Sequence, residues 1–312
     1  RVGVIGCGRK GTGHARAYAL HPQTEVVAAA DSDPDNLALF CERFNLEKGY
    51  SNYREMLEAE QIDIAAPILP VNAHPEAVIA CAEAGVRAIF CEKPMACSLE
   101  EADRMVEACQ DIPFAAGDAY RSFPQFWDAK ALIDAGEIGP IRTINLYQAT
   151  NEISGGGCQG LCVMGLFAGD GDIDWITGWV VEDPATDADQ GMGGYVRYAN
   201  GIEAFSHCRS AAKKGIEIIC THGVFYSDYY TFRLWKSADG SEPTRLDQLV
   251  EDVDRFPESR IGDRSFDEEG WRAPGFRNQS GVQSIIDALD NGTEPACPGH
   301  IMRNALETAI AF

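Results

Sequence analysis

No run of roughly 18 apolar residues occurs in this 312-residue sequence, and a membrane-spanning helix needs about that many. No charged, apolar and small-residue succession of the secretory type precedes the strand-like run Val2–Ile5. Neither a signal peptide nor a membrane partner is therefore expected, and a cytoplasmic location is. No Cys-x-x-Cys pair occurs among the 11 cysteines, which excludes zinc-ribbon and thioredoxin-type sites. Their odd number and core-like positions read as reduced thiols, with no metal site expected. Cys158 and Cys162 form a close pair in a Gly-rich stretch, where unpatterned cysteine is ordinarily small core filler. Basic residues are outnumbered, 26 Lys and Arg against 48 Asp and Glu, for a net charge of −22. Such a chain repels phosphate backbones, so no nucleic-acid partner is expected. Much of the acid lies in Glu251–Glu269, which reads as an acidic surface loop.

What is present is ordinary for a globular protein: 45% hydrophobic and 24% charged residues, in a length that suits two domains. The first, residues 1–118, alternates strand and helix. Val2–Ile5, Glu25–Ala30, Ile62–Ala66, Val86–Cys91 and Phe114–Gly117 are short apolar strands. Helices are expected over Thr12–Leu20, after Pro34, over His74–Ala84 with Pro75 in its first turn, and over Leu99–Cys109 with Ser98 and Glu101 as a capping box. This alternation predicts an α/β, doubly wound parallel sheet. The second domain, residues 119–312, changes texture. A helix over Pro124–Asp134 is followed by strand-like runs at Ile141–Ala149, Gly194–Tyr198, Ile202–Cys208, Ile216–Cys220 and Tyr229–Lys236, without helices between them. These predict an antiparallel sheet in an α+β domain, ending in helices over Ser280–Asp290 and His300–Phe312.

The strand Val2–Ile5 runs into Gly6-Cys7-Gly8-Arg9-Lys10-Gly11, a G-x-G-x-x-G at the mouth of a helix. Gly6 suits a tight turn, Gly8 lets backbone approach a pyrophosphate, and Gly11 lets the helix pack on the strand. The helix N-terminus then offers N–H groups and a positive dipole to phosphates. Asp31 ends the second strand and suits ribose hydroxyls, which favours NAD. Arg9 and Lys10 leave room for the extra phosphate of NADP. The plainer reading of Asp31-Ser32-Asp33-Pro34 is a helix-entry turn.

Phe90-Cys91-Glu92-Lys93-Pro94 ends the fourth apolar strand, at the sheet edge where ligands of such folds bind. A lysine there can hydrogen-bond a substrate hydroxyl and draw off its proton; the plainer reading is a salt bridge with Glu92. Glu92-Lys93-Pro94 at this distance from the glycine loop resembles the signature of the Gfo/Idh/MocA oxidoreductases, the glucose–fructose oxidoreductase and inositol dehydrogenase family. Pro70-x-x-x-His74 resembles that family's Pro-Asn-x-x-His turn, with Val71 in place of Asn. Met95-Ala96 with Ser98-Leu99-Glu100-Glu101-Ala102, Tyr120-Arg121-Ser122-Phe123, and Ala131 to Gly139 extend the likeness over nearly the whole chain.

The resemblance implies a Rossmann domain followed by a domain with a large open antiparallel sheet. It implies a small sugar or polyol substrate, and a homodimer or homotetramer formed through the sheet's free face. It places Pro70, His74, Glu92 and Arg121 near the cofactor and gives Lys93 contact with both cofactor and substrate. The family's terminal strand is expected to be missing, because the sequence ends within a helix. One departure stands out. The family's Asp-x-Gly-x-His-x-x-Asp matches Phe167-Ala168-Gly169-Asp170-Gly171-Asp172-Ile173-Asp174, with Gly171 where the proton-accepting His is usual.

Three readings stay open: Lys93 acts alone, Asp170 or Asp172 substitutes, or simple alcohol oxidation is lost. Asp172 also reads as the N-cap of a helix over Ile173–Thr177. Asp174 and Asp170 are expected to face substrate, because the polar Gly155–Gly171 loop has little reason to be buried. Among the histidines, His207 is the better replacement base; His14, His21, His222 and His300 read as structural or surface residues. The function expected first is NAD-dependent oxidation of a cyclic polyol or sugar derivative. Transient oxidation with tightly held NAD, driving elimination, epimerisation or glycoside cleavage, is the alternative. A non-catalytic dinucleotide sensor on the same fold is the third.

Overall fold

The computed structural model describes residues 1–117, 120–148, 152–180, 189, 191–207, 213–252, 255–256 and 278–312. The chain forms two compact units, Arg1–Ser122 with Gly262–Arg303, and Phe123–Ile261 with Asn304–Phe312.

In the first unit the strands are β1 (Val2–Ile5), β2 (Val26–Ala30), β3 (Gly49–Tyr50), β4 (Ile64–Pro67), β5 (Ala88–Cys91) and β6 (Phe114–Ala116). All pair in parallel, in the order β3-β2-β1-β4-β5-β6. Strands β1, β4, β5 and β6 are buried along their whole length, as continuous apolar runs in a parallel sheet must be. Between the strands lie α1 (Arg9–Leu20), α2 (Pro34–Phe44), α3 (Tyr53–Ala59), α4 (His74–Glu83) and α5 (Leu99–Ala108). Local chemistry sets their starts. Asp33 caps α2 by accepting from the N–H groups of Asp35 and Asn36, with Pro34 in the first turn. Ser98 caps α5 by accepting from Glu101 N–H, while the Glu101 carboxylate reaches back to Cys97 N–H, one residue past the Ser98 N–H of the expected box.

In the second unit α6 (Pro124–Asp134) precedes β7 (Ile141–Tyr147), and a π-helical turn at Ile153–Gly157 leads into α7 (Cys158–Ala168). Then come β8 (Ile173–Val180), β9 (Met192–Tyr198), β10 (Glu203–His207), β11 (Gly215–Cys220), β12 (Gly223–Ser227), β13 (Phe232–Ser237) and β14 (Leu249–Glu251). They form one eight-stranded sheet, β14-β13-β12-β11-β7-β10-β9-β8, antiparallel except where β7 meets β10 in parallel. Alternation divides its faces: Ile144, Leu146, Val196, Ala204, Ile218 and Phe225 are buried, whereas Tyr147, Tyr195, Phe205 and His207 are half-buried on the other side.

Two expectations fail here. The supposed polar loop from Gly155 to Gly171 is largely helix, and α7 is buried at nine of its 11 positions, so it belongs to the core. The residues after it, Ile173–Thr177, are strand β8 and not a helix capped by Asp172. Gly169 in the left-handed conformation stops α7, and the β-branched and aromatic Ile173, Trp175, Ile176, Thr177 and Trp179 suit a pleated surface.

The returning segment carries α8 (Gln279–Asn291) and leads to α9 (Gly299–Ala311). Val282, Ile285 and Ile286 of α8 join the core of the first unit beside Val4, Ala66 and Phe90. Gly281 permits this approach, since a Cβ there would stand 2.6 Å from Phe90 Cζ. No helix among the described residues is long and apolar enough to cross a membrane. No cluster of metal-ligating side chains occurs among them either. The ten described cysteines are free, with Cys158 and Cys162 buried in α7; Cys208, like most of the acidic stretch up to Glu269, lies outside the described residues.

Candidate active site

Strand β1 turns at Gly6, whose φ of +99° only glycine adopts readily. A Cβ on Gly6 would stand 2.1 Å from Ile68 O, and one on Gly11 would stand 1.8 Å from Gly6 O. These two glycines seat α1 against the strand ends. Gly8 differs: among the described residues, no atom beyond its own stretch of backbone lies within 4 Å of where its Cβ would be. It is the N-cap of α1, offers no side-chain acceptor, and no acid follows in the first turn. The exposed Arg9 and Lys10 stand there instead. Two cations at the positive end of a helix dipole disfavour the free helix and suit a bound anion. The loop therefore fits a dinucleotide's pyrophosphate.

Asp31 follows β2 and is half-exposed. Its Oδ2 accepts from Cys7 N–H at 2.6 Å and its Oδ1 from Asp33 N–H at 2.9 Å. The carboxylate fixes the glycine loop and closes the turn into α2, and a carboxylate retains acceptor capacity beyond two bonds. Both readings of this residue, turn former and ribose acceptor, are compatible with its geometry.

Beyond β5, Glu92 N–H donates to Pro67 O at 3.1 Å and Gly117 N–H to Cys91 O at 2.7 Å, so β4, β5 and β6 stay joined past their regular ends. Gly117 has a φ of +38°, and a Cβ on it would stand 2.3 Å from Lys93 N. Glu92 Oε2 accepts from Lys93 N–H at 3.1 Å, and Glu92 Oε1 lies 3.1 Å from His14 Nε2. Burial pushes the Glu92 carboxyl up, but the hydrogen bond and charge of His14, with Lys10 and Lys93 nearby, outweigh it and hold the group at about 2. Glu92 is thus an ionised internal brace. Lys93 itself is half-buried.

His74 is buried, and both of its ring nitrogens are used: Nδ1 lies 2.9 Å from Pro94 O, and Nε2 accepts from Leu69 N–H at 3.3 Å. Nδ1 therefore carries the proton, and burial holds the imidazole below its usual pKa, in the neutral form. His74 pins the Leu69 backbone beyond β4 to the Pro94 backbone beyond β5. Pro70 is exposed and heads the short 3-10 turn Val71–Ala73. Arg121 is 2% exposed and donates from Nε to Ala296 O at 2.7 Å, which anchors the returning segment.

The first unit thus gathers Gly6, Gly8, Arg9, Lys10, Gly11 and Asp31 at the head of α1, and joins Glu92, Lys93 and His74 at the ends of β4 and β5. Sequence reasoning passed over His14 and Gly117. His14 carries a weak signal, one turn below Lys10 on the helix that opens at the loop; Gly117 carries a better one, a glycine ending the last strand.

In the second unit Asp170, Asp172 and Asp174 are exposed. Asp170 has a φ of +50° and donates its N–H to Gly165 O at 2.8 Å in the turn that ends α7. Asp174 lies on the edge strand β8. His207 stacks on Tyr147 with centroids 4.9 Å apart, and its Nε2 lies 3.1 Å from Asn145 Oδ1, which makes it part of the half-buried sheet face.

Residues 1–112 match the model of the oxidoreductase family GFO_IDH_MocA, described as an NAD-binding Rossmann fold. The chain is 35% identical over 141 residues to a myo-inositol 2-dehydrogenase of Thermotoga maritima, which is 45% of this chain and 42% of that one. It is 35% identical over 150 residues to a levoglucosan dehydrogenase of Pseudarthrobacter phenanthrenivorans, 45% of this chain and 38% of that one. The chain thus spans less than half the length of these curated relatives. In fold it is similar to an oxidoreductase from Agrobacterium radiobacter solved with NAD+, L-tartaric acid and magnesium, with a TM-score of 0.80, 21% identity, and coverage of 99% of this chain and 94% of that one. The glycine turn, the open helix head and the braced Glu92-Lys93-Pro94 all lie within residues 1–112, the stretch that is similar to the NAD-binding Rossmann domain of the Gfo/Idh/MocA oxidoreductases.

Proposed function

We propose that the chain is an NAD-dependent oxidoreductase acting on the hydroxyl or keto group of a sugar, inositol or related cyclic polyol. The observation that carries this is the pairing, within one Rossmann sheet, of an open, cationic helix head with a lysine held on a braced strand end. Gly6, Gly8 and Gly11 with Arg9 and Lys10 hold the dinucleotide's phosphates, and Asp31 takes the ribose and disfavours a 2′-phosphate. NAD bound there supplies a hydride acceptor. Lys93 hydrogen-bonds the reacting hydroxyl and accepts its proton as the carbonyl forms. Asp174 and Asp170 are exposed carboxylates and the proposed further proton acceptors. Pro70 and Arg121 shape the loop ends around the cofactor. By the same resemblance, the half-buried aromatic face of the eight-stranded sheet joins copies of the chain into a dimer or tetramer, inside the cytoplasm.

A second reading has its own support. Apart from buried thiols, α7 carries no ionisable side chain, and Gly171 stands where the family's histidine is usual. Transient oxidation with retained NAD, ending in elimination, epimerisation or glycoside cleavage, suits such a site. A non-catalytic sensor is disfavoured by the retained Lys93.

The test is NADH formation by the purified chain with myo-inositol, scyllo-inositol, levoglucosan and D-apiose. Lys93→Ala is expected to lower kcat/KM about 100-fold or more while NAD+ still binds. Turnover of any of these without net NADH transfers support to the second reading. NAD+ binding with no reaction on a wide panel counts against both enzyme readings.

A further inference from the structure

His14, the buried partner of Glu92, has no part in the function proposed above. His14 lies on α1 and is 1% exposed. Its Nε2 is 3.1 Å from Glu92 Oε1, and an ionised carboxylate only accepts, so Nε2 carries the proton. Its Nδ1 is buried with no hydrogen-bond partner among the described residues, while the ring meets Phe90 edge-on at 5.0 Å. A buried polar atom left without a partner is unfavourable, and a leucine would fill this apolar space without that penalty. What the histidine adds is the one bond it makes. That bond continues: the other oxygen of Glu92 accepts from Lys93 N–H at 3.1 Å, and Gly117 packs so close that a Cβ on it would stand 2.3 Å from Lys93 N.

We propose that His14 is a positioning residue which, through Glu92, fixes the backbone of Lys93 relative to α1, the helix whose first turn receives the cofactor's phosphates. The proposal rests on the NAD-binding reading of that turn. The head of α1 lies one helical turn from His14, so any adjustment of α1 on loading reaches Lys93 through two hydrogen bonds in series. Both are bonds to a carboxylate and of the stronger, charge-assisted kind.

The experiment needs no substrate. The chain has seven lysines. Reductive methylation with 13C-formaldehyde labels them, and the resonance of Lys93 is the one missing in Lys93→Arg. Addition of NAD+ is expected to shift that resonance in the wild type. His14→Leu is expected to keep NAD+ affinity within about threefold and lose the shift. His14→Gln, whose amide N–H stands where Nε2–H stood, is expected to keep both. Should His14→Leu fail to fold, His14→Asn, too short to reach Glu92, takes its place. A Lys93 shift that persists undiminished in His14→Leu, or in His14→Asn, overturns the proposal. So does a His14→Gln protein as deficient as His14→Leu, because ring packing would then be what matters. If the wild type gives no calorimetric heat with NAD+, the cofactor reading fails in that titration, visibly apart from the lysine spectrum, and this proposal falls with it.

Discussion

Two stretches of the chain, Gly6–Gly11 and Gly155–Gly171, are both rich in glycine, and they use it oppositely. In the first, Gly6 and Gly11 bring backbone against backbone, while Gly8 faces space that no other described residue fills. The result is a polar, cationic helix head without a side-chain cap. In the second, Gly160 lets α7 lie on the sheet, since its Cβ would stand 2.9 Å from Leu146 Cδ1. The head of that helical stretch is already satisfied, because Asp189 accepts from Ile153 N–H and Ser154 N–H, each at 2.8 Å. Glycine signals close approach in both places, and only the surrounding charge and hydrogen bonding separate an approach to a ligand from an approach to the core.

That contrast is open to direct attack. Gly11→Ala should be the most damaging change, because a Cβ 1.8 Å from a backbone oxygen forces α1 off the turn. A loss of about 3 kcal/mol or more is expected in denaturant unfolding, together with loss of NAD+ binding. A well-folded Gly11→Ala protein that binds NAD+ normally would undo the steric argument.

Acid should separate the two stretches next. His74 has its pKa lowered from 6.5 by burial. The unfolded chain therefore takes up that proton first, so the stability His74 contributes is full above pH 6.5 and declines as pH falls below it. Glu92, lowered from 4.5 to about 2, adds a second loss as pH falls below 4.5 towards 2. Hydrogen exchange at mildly acidic pH should loosen the ends of β4 and β5 before α7. His74→Gln should cost about 1–3 kcal/mol near pH 7.5 by leaving a buried backbone group unpaired, and should flatten the dependence just below pH 6.5. Equal acid sensitivity in both stretches would speak against this.

Gly8→Ala is expected to leave thermal stability within about 0.5 kcal/mol of the wild type. Its methyl group fills the approach to the helix head, so NAD+ affinity should fall about tenfold. Gly160→Ala should have the smallest effect. The gain in helix propensity, about 1 kcal/mol, offsets crowding against the flexible end of Leu146, and NAD+ binding should not change. An effect of Gly160→Ala on cofactor affinity would mean that the second stretch is no mere core packing.

The same contrast explains what the sequence revealed. Apart from β3 and α3, the order of strands and helices up to Ala116 was legible because the strands are continuous apolar runs and helices such as α2 and α5 have local start signals, Asp33 with Pro34 and Ser98 with Glu101. Strand β3 was not, being two residues long and held only by pairing with β2. The sheet of the second unit was legible as alternation, but β8, β12 and the three-residue β14 were missed. β8 hides behind Asp-rich turns, and β12 follows β11 without an interrupting loop signal beyond Gly223. Helix α7 was misread because its apolar residues run all round it, which removes the 3.6-residue periodicity that marks a half-buried helix. At the candidate site, motif residues such as Gly6 and Lys93 were legible by type and spacing. The supporting roles of His14, His74 and Gly117 depend on contacts between distant segments that no local pattern encodes.

The central claim is that the head of α1, with Asp31 beside it, seats a dinucleotide. A calorimetric titration of the wild-type chain tests it most directly. NAD+ should bind saturably at one site per chain, and NADP+ more weakly because of the Asp31 carboxylate. Absence of heat with either nucleotide, at concentrations far above those of ordinary dinucleotide sites, would contradict it.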